Sequence, residues 1–361
     1  MIKSLRKECT EKGFDLCDPF HTKWYNDLIE KEGHVAKGTL NKIPESLTLL
    51  EEEEGNCNSS YNAVLIGNSK TIWPKFISWL SLQYKKKLTE TDDCDKEDVM
   101  NRMLEDNPFD RFVIESMSQA LYACCSRESE SQTDSDSRLD SYEVFWSNGR
   151  RDKVEMKNTN TETESTSAFK NKQHYHCFMS DDKCDDARHQ SFLVSMQRVA
   201  KVTGKFWHDE MGTKLCVHPR FGTWKAFRAV VVFHKTQKSS RHNSIPVPDA
   251  PPLCTCPVSP EEIDKAKGVM EYALKVSGGE DGKNKQTYGG LCAYLHNSVT
   301  SGSDWSKVSP AMRPWIQLRD CITVGQKDYK YCDNQILYHY TKDTDILKNE
   351  LRNQVTSSSM D

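Results

Sequence analysis

The sequence predicts a fold of alternating strands and helices carrying one polar insertion, and three observations support this. Short apolar runs suited to buried strands alternate with segments whose apolar residues recur at helical spacing. Residues 226–233 (AFRAVVVF) are apolar on both faces except at Arg228, which is how a central strand reads. Residues 126–141 hold one apolar side chain, Leu139, and residues 158–167 hold none, so both bury too little to offset chain entropy.

Taken in order, residues 63–66 (AVLI) form a short apolar run ending at Gly67, which suits a buried strand. Trp73, Phe76, Ile77 and Leu80 then fall at i, i+3, i+4 and i+7, one face of a helix. Asn107-Pro108 opens a second helix, with Asn107 as cap and Pro108 at the first position, and Phe109, Val113, Met117 and Leu121 hold its face. Residues 142–146 (YEVFW) read as a strand closed by an Asn148-Gly149 turn. A third helix is expected from about 191 to 203, stopped by Gly204. The polar end after about 340 is expected to fray. There is no internal repeat. The resulting organisation is one domain in two parts, 1–125 and 191–320, split by a disordered insertion at 126–190 around one ordered strand and followed by a polar tail at 321–361.

Composition narrows the function. Of 361 residues, 36% are hydrophobic and 17 are glycine, together below the ~45–50% of a typical globular chain, so part of the chain is not packed. Lys and Arg total 49 against 53 Asp and Glu, a net charge of −4, which excludes the basic footprint of a nucleic-acid binder. No apolar run approaches the ~18 residues of a membrane helix, and the first residues lack the apolar core of a secretory signal. Fourteen cysteines spread from Cys9 to Cys332 lack the density of a disulfide scaffold and point to reduced thiols in the cytoplasm.

The most informative stretch runs from Cys216 through His218-Pro219-Arg220-Phe221-Gly222 to Arg228. Gly222 is free to take positive φ in a loop that delivers the chain into the central strand. Arg228, a charge in that strand, needs an anion: an internal Asp or Glu, or a ligand carboxylate or phosphate that guanidinium grips bidentately. Other clusters are weaker. His174, His176 and Cys177 with Cys184 and His189 have zinc-ligand chemistry but no Cys-x-x-Cys pair. Residues 278–284 lack the spacing of a phosphate loop. Cys254 and Cys256 form a redox pair or sit in a Pro-rich surface turn. Arg198, Lys201 and Lys205 share a helix face expected to be solvated.

The stretch Cys-Val-His-Pro-Arg-Phe-Gly-x-Trp-x-x-x-Arg resembles the signature of the methylmalonic aciduria and homocystinuria type C family, the cytosolic cyanocobalamin reductases and alkylcobalamin dealkylases. Supporting matches are Gly13-Phe14, Pro19-Phe20 and Trp24-Tyr25-Asn26-Asp27-Leu28; Asn107-Pro108-Phe109-Asp110; Val247-Pro248-Asp249-Ala250-Pro251-Pro252; Thr287-Tyr288; and Ser309-Pro310-Ala311-Met312-Arg313. Together they cover about residues 10–320 outside the insertion.

The resemblance implies a nitroreductase-like α+β fold, a mixed sheet with flanking helices, holding cobalamin with its lower base detached. It further implies reductive decyanation supported by FAD or FMN with NADPH, transfer of an upper alkyl group to glutathione, and delivery to the type D partner protein. Carried over by position, the cobalamin contacts are Val194, Ser195, Met196, Gln197, Cys216 and Phe227, and the glutathione contacts are Arg228 and Arg313. The chain departs from the family pattern at Lys201, where the family has histidine, at Trp207-His208-Asp209-Glu210, and at Gly289 in place of an arginine that Lys283 or Lys285 would have to replace. Two further readings stay open at this stage: a non-catalytic cobalamin carrier, and a flavin nitroreductase-type oxidoreductase with another substrate.

Overall fold

The computed structural model describes residues 1–46, 50–54, 57–90, 95–131, 141–155, 192–234, 250–277 and 305–357. Within them the main sheet has five strands in the order β1 (Leu16–Phe20), β4 (Ala63–Asn68), β9 (Ala226–His234), β5 (Ser141–Trp146), β6 (Arg151–Glu155). Two small ribbons accompany it: β2 (Leu50–Glu54) with β3 (Cys57–Tyr61), and β7 (Trp207–His208) with β8 (Cys216–Val217). The α+β class with helices flanking a sheet is as expected. A mixed sheet is not observed: every described ladder is antiparallel.

Alternation along the strands divides the core in two. Val64, Ile66, Val144, Trp146, Ala229, Val231 and Phe233 face one side; Ala63, Leu65, Phe145, Val230 and Val232 face the other. The first side is covered by α1 (Ile2–Glu11), α3 (Ile72–Glu90), α4 (Lys96–Leu104) and α5 (Pro108–Ser131). The second is covered by α2 (Thr22–Lys31) and α6 (Met196–Val202), whose apolar faces pair Trp24, Tyr25 and Ile29 with Met196, Val199 and Ala200. A third, smaller cluster joins β8 to α7 (Pro260–Ser277) and α8 (Arg313–Asp320). No helix among the described residues is long and apolar enough to cross a membrane.

The periodic faces read from sequence are buried as expected: Trp73, Phe76, Ile77 and Leu80 in α3, and Phe109, Val113, Met117 and Leu121 in α5. The turn at Asn148-Gly149 closes the β5–β6 hairpin, with Gly149 at φ +85°. Asn107 precedes α5, but its amide donates to Asp110 Oδ2 (2.7 Å) and its oxygen caps nothing.

Three expectations are corrected. The insertion does not begin at 126, because α5 continues to Ser131, and the hydrogen-bonded β5 and β6 place two strands of 126–190 inside the main sheet. The third helix starts at Met196 rather than near 191; Ser195 is its cap, its Oγ accepting from Arg198 N–H (3.4 Å), while residues 192–195 approach it without helical structure. The chain after 340 does not fray at once. Following α9 (Gln326–Tyr329) and α10 (Asp333–Thr341), α11 (Thr344–Ser357) buries Ile346, Leu347 and Leu351 against α3. Its few apolar residues lie on one side of an otherwise polar helix, so composition conceals them.

Candidate functional site

β8 leads into a closed loop in which His218 and Gly222 exchange backbone hydrogen bonds (3.1 and 2.8 Å). Gly222 has φ +58°, and a Cβ there would lie 1.8 Å from Val324 O, so only glycine fits. His218 Nδ1 accepts from the N–H groups of Arg220 (3.0 Å) and Phe221 (3.3 Å). That bond requires a neutral ring with the proton on Nε2. Burial agrees, pulling its pKa down to about 4.

Below the loop lies Lys225, a site residue that the sequence reading missed. Its side chain is buried, donates to Cys216 O and to Gly222 O (3.2 Å), and sits 5.3 Å from the Phe206 ring and 5.4 Å from that of Phe227. Burial, with Arg319 adding repulsion against an opposing influence of Cys216, lowers its pKa to about 8. The available signal was a lysine between Trp224 and Phe227 at the entry of an apolar strand. Cys216 is buried as well, and burial raises its thiol to about 11. It is therefore a protonated, weakly nucleophilic side chain at neutral pH.

Around these residues three separate segments form one wall. Met196 and Cys216 are buried in the second cluster, and half-buried Val194 and Phe227 pack against it beside Phe206 and Phe221. Phe206 meets Phe227 edge-on at 5.2 Å. Ser195 lies at the edge, its N–H donating to Tyr25 Oη (3.1 Å), and Gln197 is exposed. His208 stands opposite Cys216 on the β7–β8 ribbon, with its Nδ1 buried and unpartnered among the described residues.

Arg228 is set apart from this wall by a β-bulge. Gly67 pairs with Phe227 and Ile66 with Ala229, leaving Arg228 as the extra residue of β9. Its Nε donates to Asn68 Oδ1 (2.6 Å) and its guanidinium lies 4.9 Å from the Phe109 ring, among side chains of the first cluster. Phe227 belongs to the second cluster, so the sheet separates these two neighbours in sequence. Arg313, the first residue of α8, donates to Val308 O (3.0 Å). The arginine of α8 whose charge acts on Arg228 is Arg319.

The helix face of Arg198 and Lys201 is not simply solvated. Arg198 pairs with Glu32 (2.6 Å) and with Glu210, and Lys201 with Glu210 (3.5 Å), tying α6 to α2 and the β7 ribbon. Cys254 and Cys256 are free thiols. Lys283, Lys285, Thr287, Tyr288, Gly289 and the His174, His176 and Cys177 cluster with Cys184 and His189 lie outside the described residues.

The fold and site thus define an antiparallel α+β protein with an apolar wall on one face of its sheet and a half-buried cation on the other. No family model matches the chain, and no curated protein matches it. Among solved structures it is similar to a B12-trafficking protein CblC of C. elegans, a human MMACHC homologue. The two share 12% sequence identity over 96% of this chain and 94% of that one, with a TM-score of 0.45.

Proposed function

We propose that this protein binds cobalamin with its lower base detached and processes it in the cytosol. It reductively removes cyanide from cyanocobalamin, transfers the alkyl group of alkylcobalamins to glutathione, and passes the product to the type D partner. The observation that carries this reading is the convergence of Val194, Met196, Cys216 and Phe227, drawn from three segments, on one apolar wall. An apolar wall edged by Ser195 and Gln197 would suit the corrin macrocycle, whose rim bears amides.

The raised pKa of Cys216 argues for an external thiol as the alkyl acceptor. In dealkylation the glutathione sulfur bonds to the alkyl carbon while the cobalt–carbon bond breaks, its electron pair remaining on cobalt. The glutathione role expected of Arg228 and Arg313 does not enter this reading, because the bulge turns Arg228 to the face of the sheet opposite the wall. Reduced FAD or FMN and NADPH enter as electron donors for decyanation; no described residue is assigned to them.

Anaerobic titration of cyanocobalamin with the protein is expected to give a saturable base-off change in the visible spectrum. NADPH and flavin should then release cyanide. An unchanged spectrum at excess protein would overturn the reading, and a base-off shift without cyanide release would reduce the protein to a carrier.

A further inference from the structure

Cys254 and Cys256, which the proposed function leaves unused, lie in residues 250–259, a strap that enters α7 without helix or strand structure of its own. The strap is fixed at both ends. Pro252 rests on Gly204 at the end of α6 so closely that a Cβ at Gly204 would lie 2.4 Å from Pro252 Cγ and 2.9 Å from its carbonyl oxygen. Val258 is buried in the third cluster with Val217 of β8. Beside it, Ser259 and Glu262 cap α7 reciprocally: Glu262 N–H donates to Ser259 Oγ (3.2 Å) and Ser259 N–H to Glu262 Oε2 (3.1 Å). The two thiols therefore sit in a short span whose ends are held against the fold.

Exposure sets this pair apart. Cys9, Cys17, Cys124, Cys125, Cys216 and Cys321 are buried, whereas Cys256 is exposed and Cys254 half-buried. Each thiol of the pair makes a weak bond to a backbone carbonyl, Cys254 Sγ to Thr255 O (3.4 Å) and Cys256 Sγ to Val258 O (3.5 Å). Two residues of chain span at most about 7 Å. Disulfides join Cα atoms roughly 4.4–6.8 Å apart, so a bridge closes in all but the fully extended strap. Burial and then the neighbouring Cys256 raise the Cys254 pKa, and Cys254 adds to the burial that raises Cys216. The pair thus lies within electrostatic reach of itself and of the apolar wall.

We infer that Cys254 and Cys256 form a reversible dithiol–disulfide site that exchanges with a low-molecular-weight disulfide. Exposure assigns the order of events. The Cys256 thiolate attacks one sulfur of the small disulfide, whose S–S bond breaks; the other sulfur leaves as a thiolate and takes up the proton that Cys256 released. Cys254 then attacks the Cys256 sulfur, the mixed disulfide breaks, and a second small thiol departs with the Cys254 proton. Two protein thiols lose two electrons, and the small disulfide gains them to become two thiols. A bridge across one residue at the surface is of the strained, exposed kind that is readily reduced again. Closing it tightens the strap between α6 and β8, the elements that carry Met196 and Cys216. The exchange needs no cobalamin, so the site stands whether or not the cobalamin reading survives.

In the test, the full chain is reduced, freed of reductant and equilibrated anaerobically in glutathione buffers of stepped disulfide-to-thiol ratio, then acid-quenched and alkylated. Mass spectrometry of the peptide holding both cysteines should show a form two hydrogens lighter that takes no alkyl group. This bridged form should rise with the ratio to become the majority and vanish again in excess thiol. Cys254→Ser should stop at a glutathione adduct on Cys256, and Cys256→Ser should lose the bridge and most of the adduct. Cys332, exposed at the start of α10, is the control: Cys332→Ser should leave the bridged peptide unchanged. Alkylation of both cysteines at every ratio, a stable wild-type adduct without a bridge, or a Cys254→Ser protein lacking the Cys256 adduct would overturn the site.

Discussion

Lys225 offers the sharpest quantitative prediction. Its pKa is near 8 in the folded protein against an ordinary lysine value of 10.5. The sign follows from linkage: between those values the unfolded chain binds more protons than the native one, so this residue's contribution to stability increases as pH rises. Below pH 8 both states carry the proton and the fold bears the full cost of a buried ammonium. Integrating a single site with these two values from pH 7 to pH 10 gives a gain of about 2.5 kcal/mol. Buried groups with raised pKa, such as Cys216 and Tyr142, act in the opposite direction over the alkaline range, so the raw stability curve does not isolate Lys225. The Lys225→Met variant does, because methionine keeps an unbranched chain between Phe206 and Phe227 without charge. Urea unfolding of both proteins at several pH values gives wild-type stability minus variant stability as a function of pH. That difference should rise by about 2.5 kcal/mol toward pH 10. A flat or falling difference would refute the buried-ammonium account.

Two further outcomes follow from packing. Gly222→Ala should destabilise the fold by more than ~3 kcal/mol, because a positive φ and a collision with Val324 O act together; a urea midpoint near wild type would mean that the loop has another accessible shape. Leu351→Ala should cost about 2–5 kcal/mol by thermal or chemical unfolding, the range for a fully buried leucine, whereas a fraying tail would give almost nothing.

The elements legible in the sequence were those whose periodicity is dense. Residues 63–66, the α3 face, the α5 face and residues 226–233 each present several large apolar residues in one unambiguous pattern. Elsewhere the same rules had less to act on. In α7 the buried positions Ala266, Val269, Met270 and Ala273 keep helical spacing, but two are alanines that a charged helix obscures. β1 carries Asp18-Pro19 in five residues, a composition disfavoured in strands. β6 reads Arg-Asp-Lys-Val-Glu and is held chiefly by pairing to β5, with Arg151 bridging to Glu143 at 2.7 Å. At the site, Cys216, Met196 and Phe227 were marked by motif and meet in space. Lys225 belongs to no motif and becomes visible only when burial is counted. The separation of Arg228 from Phe227 was hidden because one unpaired residue in β9 leaves no trace in composition.

That unpaired residue sets two phases within one strand. From Ala229 onward odd-numbered residues face α3 and α5, and even-numbered residues face α2 and α6; before the bulge odd-numbered Phe227 faces α2 and α6 instead. Deleting Arg228 would therefore do more than remove a charge. It would restore a single alternation and draw the 216–225 loop one position along the sheet, without altering any other side chain of β9. Substitutions at 226–228 tune each face separately, whereas a change of length by one residue displaces both together.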